Sequence, residues 1–222
     1  MSSKNIKVLC FTASMKRPIY LRQCILQLQQ QSHNLDHVVY LNSNEFESVE
    51  DEHNYVDLLR DIKIKTGNQL LVAYGPSASH HRNHMAAIEQ VNWKNYDLFF
   101  KIDDDDIYKQ HYIRDAVADY IKRKWDFSGE ISKGHLYYEK FKKNYNLNEY
   151  VSDIDYSNKA FMPPTFCWNK KAMKIIADID DIKGSEDYEW RKQLATNDDL
   201  LTLVRPAGNF IYNIHKKSIL YR

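Results

Sequence analysis

Four consecutive aspartates, residues 103–106, follow an apolar run in this 222-residue chain. Adjacent like charges repel one another, and an acidic run is commonly a solvated surface loop. This run begins where the apolar residues 97–102 end, and Asp103 and Asp105 point to the same side if the chain stays extended. Two converging carboxylates without an obvious basic partner favour a hard divalent cation such as Mg²⁺. The residues alone leave a surface loop and a metal site as open interpretations.

Two further acids, Glu186 and Asp187, open a segment with helical character at residues 186–194. Acidic residues in the first turn of a helix are stabilised by the helix dipole, and this structural role is more common than a catalytic one. A carboxylate is also the group that accepts the proton of an attacking hydroxyl in general base catalysis. Arg17 and Arg82 suit bidentate contacts with phosphate, and they equally suit surface salt bridges.

A histidine pair raises the question of a zinc enzyme. His80 and His84 are four positions apart and face one way on a helix. The HExxH motif of zinc hydrolases requires Glu at its second position, and residue 81 is His. The sequence therefore disfavours a zinc hydrolase.

Strand-like and helix-like segments alternate through the first half of the chain. Apolar runs predict strands at residues 7–11, 37–41, 70–74 and 97–102, with helices beginning at Pro18, Tyr55 and Arg82. This alternation predicts a largely parallel sheet with helices on both faces, whose ligands bind at the carboxyl ends of the strands. The polar loops at those ends are residues 12–17, 42–45, 77–83 and 103–106.

The second half is less regular. Its predicted helices are residues 111–124, 170–177 and 186–194, and its predicted strands are 125–128, 166–168, 201–204 and 210–214. Residues 134–160 are rich in Tyr, Asn and Lys and show little periodicity. Aromatic faces pack on sugars and stack on bases, so this segment is a binding surface for such a group or, alternatively, a structural lid or tyrosine-packed interface.

The composition excludes several classes of protein. With 31 Lys and Arg against 30 Asp and Glu, the net charge is +1, which removes the simplest electrostatic case for binding nucleic acid or anionic lipid. The apolar runs fall far short of the ~18 residues of a membrane span, and the first residues resemble no secretory signal. Three scattered cysteines predict buried free thiols in a reducing, cytoplasmic compartment, and the length predicts one domain.

Five segments in order resemble family 2 glycosyltransferases with the GT-A fold. The strand and acidic run FFKIDDDDIYKQHYI resembles the family's Asp-x-Asp segment, and the others lie on either side of it. These are VLCFTASMKRPIYLRQCILQLQQQS, SASHHRNHMAAIEQV, SEDYEWRKQL and NFIYNIHKKS. The resemblance implies a single GT-A-type, Rossmann-like α/β domain over residues 1–222, with a mixed, mostly parallel central sheet flanked by helices. Residues 1–106 would form the nucleotide-binding half and residues 107–222 the acceptor and catalytic half.

The resemblance also implies a metal site. Asp105 would ligate a metal that bridges to the donor diphosphate, and Asp103 would contact the ribose and share the metal. Asp104 would belong to the donor site. His215 would supply a nitrogen ligand, and mixed oxygen and nitrogen ligation favours Mn²⁺, with Mg²⁺ as the alternative. Asp106 would be a ligand or would orient Asp105.

Further roles follow from the resemblance. Asp187 would be the general base, and Glu186 would position it or the acceptor. Arg17 and Arg82 would neutralise the diphosphate, and Thr12 would touch the base or ribose. The chain departs from the family at residues 42–45, which are Asn-Ser-Asn-Glu where Asp-Asp-Gly-Ser is common. The Asn44 amide can still hydrogen-bond a base.

The expected reaction is the metal-dependent transfer of a sugar from a nucleotide-sugar to a hydroxyl of a glycan or lipid-linked sugar, with inversion. The expected donor is a UDP-sugar. A hydroxylated base of phage DNA is an alternative acceptor. Other classes also stay open: a nucleotidyltransferase, a metal-dependent nuclease or phosphohydrolase, and a non-catalytic nucleotide-sugar-binding module. A nucleotidyltransferase of this fold should carry a Gly-rich phosphate-binding loop near its N-terminus. Residues 12–17 contain no Gly, which disfavours that class.

Overall fold

Strands and helices alternate along the first half of the computed structural model, in the order that the sequence predicts. The structure describes residues 5–14, 17–46, 48–76, 79–130, 135–138, 143–146, 163–180, 182, 185–205 and 209–214. The elements of the first half are β1 (Val8–Ser14), α1 (Pro18–Gln29), β2 (Asp36–Asn42), α2 (Val49–Arg60), β3 (Gln69–Gly75), α3 (His80–Glu89) and β4 (Leu98–Lys101).

The second half contributes shorter elements. They are β5 (Ile107–Tyr108), α4 (Tyr112–Arg123), β6 (Phe127–Glu130), β7 (His135–Tyr138), β8 (Lys143–Asn146), β9 (Cys167–Asn169), α5 (Lys170–Ala177), α6 (Glu186–Ala195), β10 (Thr202–Arg205) and β11 (Phe210–Ile214). None of the helices in the described ranges is long and apolar enough to cross a membrane.

The central sheet is mixed and mostly parallel, which confirms the predicted fold class. Within the described residues it has seven strands in the order β10-β6-β9-β4-β1-β2-β3. Strand β9 runs antiparallel to both of its neighbours, and the other pairs are parallel. A smaller sheet has the order β5-β11-β7-β8. Because β1, β2 and β4 are parallel neighbours, their carboxyl ends meet at one rim.

The central strand β1 is buried on both faces. Leu9 and Phe11 pack into a core with α3, α5 and α6, whereas Val8 and Cys10 pack into a core with α1 and α4. Side chains alternate between the two faces of a strand, so a strand covered on both sides reads as a continuous apolar run. The three cysteines are buried and free, as predicted.

The largest differences from the predicted boundaries are at the end of β1 and the start of α2. Strand β1 continues to Ser14 because residues 12–14 keep pairing with β2, and their polar side chains find hydrogen-bond partners inside the fold. Helix α2 begins at Val49 rather than at Tyr55, since its first turns are polar and carry no apolar signal. The predicted metal ligand His215 and most of residues 134–160 lie outside the described residues.

Candidate active site

A buried lysine joins the aspartate run to the start of α6. Lys101 ends β4 and is 1% exposed, and its Nζ lies 2.7 Å from Asp103 Oδ1 and 3.1 Å from Asp187 Oδ1. Removing an ammonium group from water is costly unless carboxylates surround it. Burial lowers the pKa of Lys101, but Asp103 and Asp187 outweigh this effect and raise it. The lysine is therefore charged, and it holds the two carboxylates in one place.

The loop between β1 and α1 supplies a second cation. Arg17 precedes Pro18, which disfavours helical backbone at this position and so lets α1 begin here. Its guanidinium pairs with Asp104 at 2.5 Å and also with Asp105. Arg17 is thereby held at the acidic turn, where its donors face the carboxylates and neutralise part of their charge.

Asp104 is held in place by a hydrogen bond from Ser14, the last residue of β1. Its side chain is fully buried, and Ser14 Oγ donates a hydrogen bond to Oδ2 at 2.5 Å. The Ser14 hydroxyl in turn lies 2.6 Å from the Tyr55 hydroxyl of α2. Burial raises the pKa of Asp104 to about 7, although the Arg17 charge and the Ser14 hydrogen bond act in the opposite direction. Asp104 therefore acts as an internal anchor, whereas Asp103 and Asp105 are partly exposed.

Asp187 lies in the first turn of α6, where the helix dipole favours negative charge. Its side chain is one quarter exposed and so is accessible to a ligand from solvent. Burial raises the pKa of Asp187 to about 6, with Asp103 and Glu186 adding to the rise and Lys101 opposing it. A carboxylate with this pKa is mostly ionised at neutral pH and is a stronger base than an ordinary aspartate.

Glu186 turns toward α3 rather than toward the aspartate run. Its Oε1 accepts a hydrogen bond from His80 Nδ1 at 2.7 Å and lies 3.8 Å from His84 Nε2. Burial raises the pKa of Glu186, but the hydrogen bond from His80 and the charge of Lys101 outweigh it and lower the pKa well below its ordinary range. Glu186 is thus an ionised carboxylate that connects α6 to α3.

The structure also describes three other predicted site residues, Thr12, Asn44 and Arg82. Thr12 is fully buried, and its hydroxyl hydrogen-bonds His37 Nε2 at 2.9 Å inside the sheet. Asn44 lies exposed in a short turn after β2, where its amide N–H donates to the Asn42 side chain. Arg82 is exposed in the first turn of α3. Their contacts with the nucleotide-sugar donor stay predictions.

The sequence analysis missed Lys101 and Ser14. A signal for the lysine was present, since Lys101 is a charged residue within the apolar run Leu98–Lys101 and a buried lysine requires acidic partners. No local signal identifies Ser14, because its partner Asp104 is 90 positions away in sequence.

The arrangement can bind a cation and accept a proton. Carboxylates at this rim outnumber the cationic side chains of Lys101 and Arg17. The excess of hard oxygen donors at Asp103 and Asp105 fits Mg²⁺ or Mn²⁺. Asp187 and Asp103 contact the same Lys101 ammonium group, so a candidate base lies close to a candidate metal ligand.

Comparison with solved structures identifies the fold. S. aureus TarS (residues 1–349) in complex with UDP-GlcNAc matches with a TM-score of 0.66 at 13% identity, over 96% of this chain and 60% of that one. A mannosyltransferase from Pyrobaculum calidifontis, in complex with GDP-Man and Mn²⁺, matches with a TM-score of 0.66 at 8% identity, over 97% and 59%. This chain therefore spans about 60% of the length of these structures.

A third solved structure is of similar size. The 4-diphosphocytidyl-2C-methyl-D-erythritol synthase of Anaerococcus prevotii matches with a TM-score of 0.54 at 10% identity, over 95% of this chain and 87% of that one. Neither a protein-family profile nor a curated protein sequence matches the chain. At these identities the likeness concerns the backbone, and with the observed sheet order it shows that this chain has the GT-A fold.

Proposed function

We propose that the chain is a metal-dependent, inverting glycosyltransferase that uses a nucleotide-sugar, UDP-linked by preference. The observation that carries the proposal is the shared contact of Asp103 and Asp187 with Lys101, 2.7 Å and 3.1 Å from its Nζ. It supports a donor-binding carboxylate and a catalytic base on either side of one pocket. Complexes of TarS with UDP-GlcNAc and of the mannosyltransferase with GDP-Man and Mn²⁺, on the same fold, support this donor class.

In the proposed reaction, Asp187 accepts the proton of the acceptor hydroxyl. The hydroxyl oxygen forms a bond to the anomeric carbon, and the bond from that carbon to the diphosphate oxygen breaks. The diphosphate leaves with the electron pair, and the configuration at the anomeric carbon inverts. Positioning, charge stabilisation and one proton transfer are the protein's contributions.

Asp103 and Asp105 would hold the divalent ion, with His215 as a further ligand. The ion would supply charge neutralisation for the departing diphosphate. Arg17 is already held beside Asp104 and Asp105, so its charge would add to the same neutralisation. Residues 1–106 would bind the donor, and residues 107–222 would supply the base and the acceptor contacts.

The acceptor is proposed to be a hydroxyl of a glycan or of a lipid-linked sugar. A hydroxylated nucleic-acid base is the alternative. The sequence of residues 134–160, with Tyr and Lys interleaved, supports an acceptor role for that segment through its composition.

A thermal-shift screen of nucleotide-sugars, with and without Mn²⁺, tests the proposal. A ligand that binds only the folded state raises the temperature at which half of the protein is unfolded, and the rise grows with its affinity and concentration. We expect one donor to stabilise the protein in the presence of Mn²⁺ and to be consumed when acceptor is added. Donor binding without hydrolysis or transfer would indicate a binding module, and DNA cleavage without donor would indicate a nuclease.

A further inference from the structure

A second group of potential ligands lies next to the aspartate run but faces α3. His80 and His84 occupy positions one turn apart on α3, and Glu186 is the first residue of α6. One ligand atom from each of the three lies within 4.8 Å of the other two. Residues four apart on a helix share a face, so both imidazoles are directed to the same carboxylate.

The hydrogen bonds of His84 are incomplete. Its side chain is fully buried, and neither Nδ1 nor Nε2 has a hydrogen-bond partner. The ring is enclosed by the aromatic rings of Phe11, His80 and Trp190, with centroids 5.0 to 5.6 Å away. Buried polar atoms are nearly always satisfied, so an unpaired imidazole 3.8 Å from a carboxylate oxygen indicates that a partner is missing between them.

We propose that His80, His84 and Glu186 form a binding site for a transition-metal ion, with Zn²⁺ the best suited. Two imidazole nitrogens and one carboxylate oxygen are a ligand set that Zn²⁺ accepts, leaving a fourth position for water. Two imidazole ligands to one carboxylate distinguish this site from the aspartate run, where carboxylates predominate. The site rests on its own geometry and does not depend on the proposed transferase activity.

The site is accessible through His80, whose side chain is 32% exposed, whereas His84 and Glu186 form its inner wall. His81 does not take part, because its Nδ1 accepts a hydrogen bond from Trp190 Nε1 at 3.1 Å. His81 therefore occupies the position that the catalytic Glu holds in HExxH, and the site lacks the general base of that motif. Its effect is to fasten the start of α6, and so Asp187, to α3.

Zinc retention tests the inference. The full chain is equilibrated with ZnCl₂, passed through a desalting column, and its zinc content and affinity are measured by mass spectrometry and chelator competition. We expect about one zinc per chain. The partly exposed His80→Ala and the near-isosteric Glu186→Gln are expected to bind zinc at least tenfold more weakly, with unchanged circular dichroism. His53→Ala, which removes an exposed histidine on α2, is the matched control.

Two further measurements separate this site from the aspartate run. Co²⁺ substitution is expected to give the intense visible absorption of a four-coordinate ion in the wild type, and to lose it in Glu186→Gln. Asp105→Asn is expected to retain zinc fully. Absence of retained zinc, equal affinity in His80→Ala and the wild type, or loss of zinc in Asp105→Asn would each overturn the proposal. None of these readouts involves a nucleotide-sugar, so failure here leaves the proposed transfer reaction intact.

Discussion

Carboxylates at the two ends of the central sheet have different kinds of partners. At the amino end, Asp36 accepts hydrogen bonds from the Tyr96 hydroxyl at 2.8 Å and from the Gln69 amide at 3.0 Å. At the carboxyl end, Asp104 and Asp187 instead face cations and other carboxylates. Neutral donors complete the first set of contacts, whereas the second set balances opposing charges at close range.

The amino end also carries a groove. This groove, of about 510 Å³, is lined by Lys7, Asn34, Asp36, Asn68 and Tyr96 among others. Its polar groups are joined by hydrogen bonds such as that from the Leu35 amide to Asn68 Oδ1. Carboxyl groups whose pKa values are strongly raised by burial are candidates for catalysis. Asp104 and Asp187 are such groups at the carboxyl end, which is where we propose that the reaction occurs.

The largest expected effect is the loss of the base. Asp187→Asn keeps the shape of the side chain but cannot accept a proton, so kcat is expected to fall by about 10²–10⁴-fold with donor affinity retained. Steady-state transfer assays and donor titrations measure both quantities. Asp36→Asn, the matched change at the amino end, is expected to leave kcat within about twofold. Near-normal turnover in Asp187→Asn would remove this residue from the mechanism.

Removing a buried cation tests the charge balance. Lys101→Met leaves Asp103 and Asp187 without their shared partner, and breaking a buried pair in this way costs about 3 kcal/mol of unfolding free energy. Urea denaturation measures the loss. Lys65→Met at the amino end removes a bond to the neutral Gln31 carbonyl, and about 1 kcal/mol is expected. If the double variant Lys101→Met/Asp187→Asn is no more stable than Lys101→Met, the charge argument is wrong.

Without metal, the buried carboxyl groups of Asp104 and Asp187 are expected to lower the unfolding free energy as pH rises from 5 to 7.5. The pKa of Asp104 is raised from 3.8 to about 7 and that of Asp187 to about 6, so at these two groups the folded state binds more protons than the unfolded state between those values. His80, whose pKa is also raised because Glu186 outweighs its burial, acts in the same direction. His37 and His84, whose pKa values are lowered by burial, act in the opposite direction, so the carboxyl contribution is measured by comparing the wild type with a variant.

The substitution Asp104→Asn is the control for this pH dependence. It removes the titrating group while keeping an acceptor for Ser14 and a side chain of the same size. Because Asn does not titrate, the unfolding free energy of this variant is expected to fall less, or rise more, than that of the wild type between pH 5 and 7.5 in urea titrations, by on the order of 2 kcal/mol. The same pH dependence in both proteins would contradict the assignment.

The smallest effect is expected from the backbone of the amino end. Gly67 has φ +88°, a conformation that L side chains rarely adopt, and a Cβ there would lie 2.7 Å from Asn34 Nδ2. Gly67→Ala is expected to lower the unfolding free energy by about 1–2 kcal/mol while leaving kcat unchanged. A large loss of turnover in a folded Gly67→Ala protein would mean that the amino end takes part in function.

Much of the fold follows from local patterns. The apolar runs of β2, β3 and β4 and the Pro18 start of α1 predict an alternating α/β chain, because strand and helix periodicity depend on neighbouring residues. The strand β9 was also predicted, but its antiparallel position between β4 and β6 was not. Pairing partners are distant in sequence, and no local signal specifies them.

The sequence by itself determined which residues can do chemistry: an aspartate run after a buried strand, an acid pair at a helix start, and arginines at loop ends. Only the tertiary structure decided which of them meet. Lys101 joins Asp103 to Asp187, and Glu186 faces His80 instead of the aspartates. The physical reason is that charges interact through space over a few ångströms. Strand order and helix packing, set by long-range contacts, determine those distances.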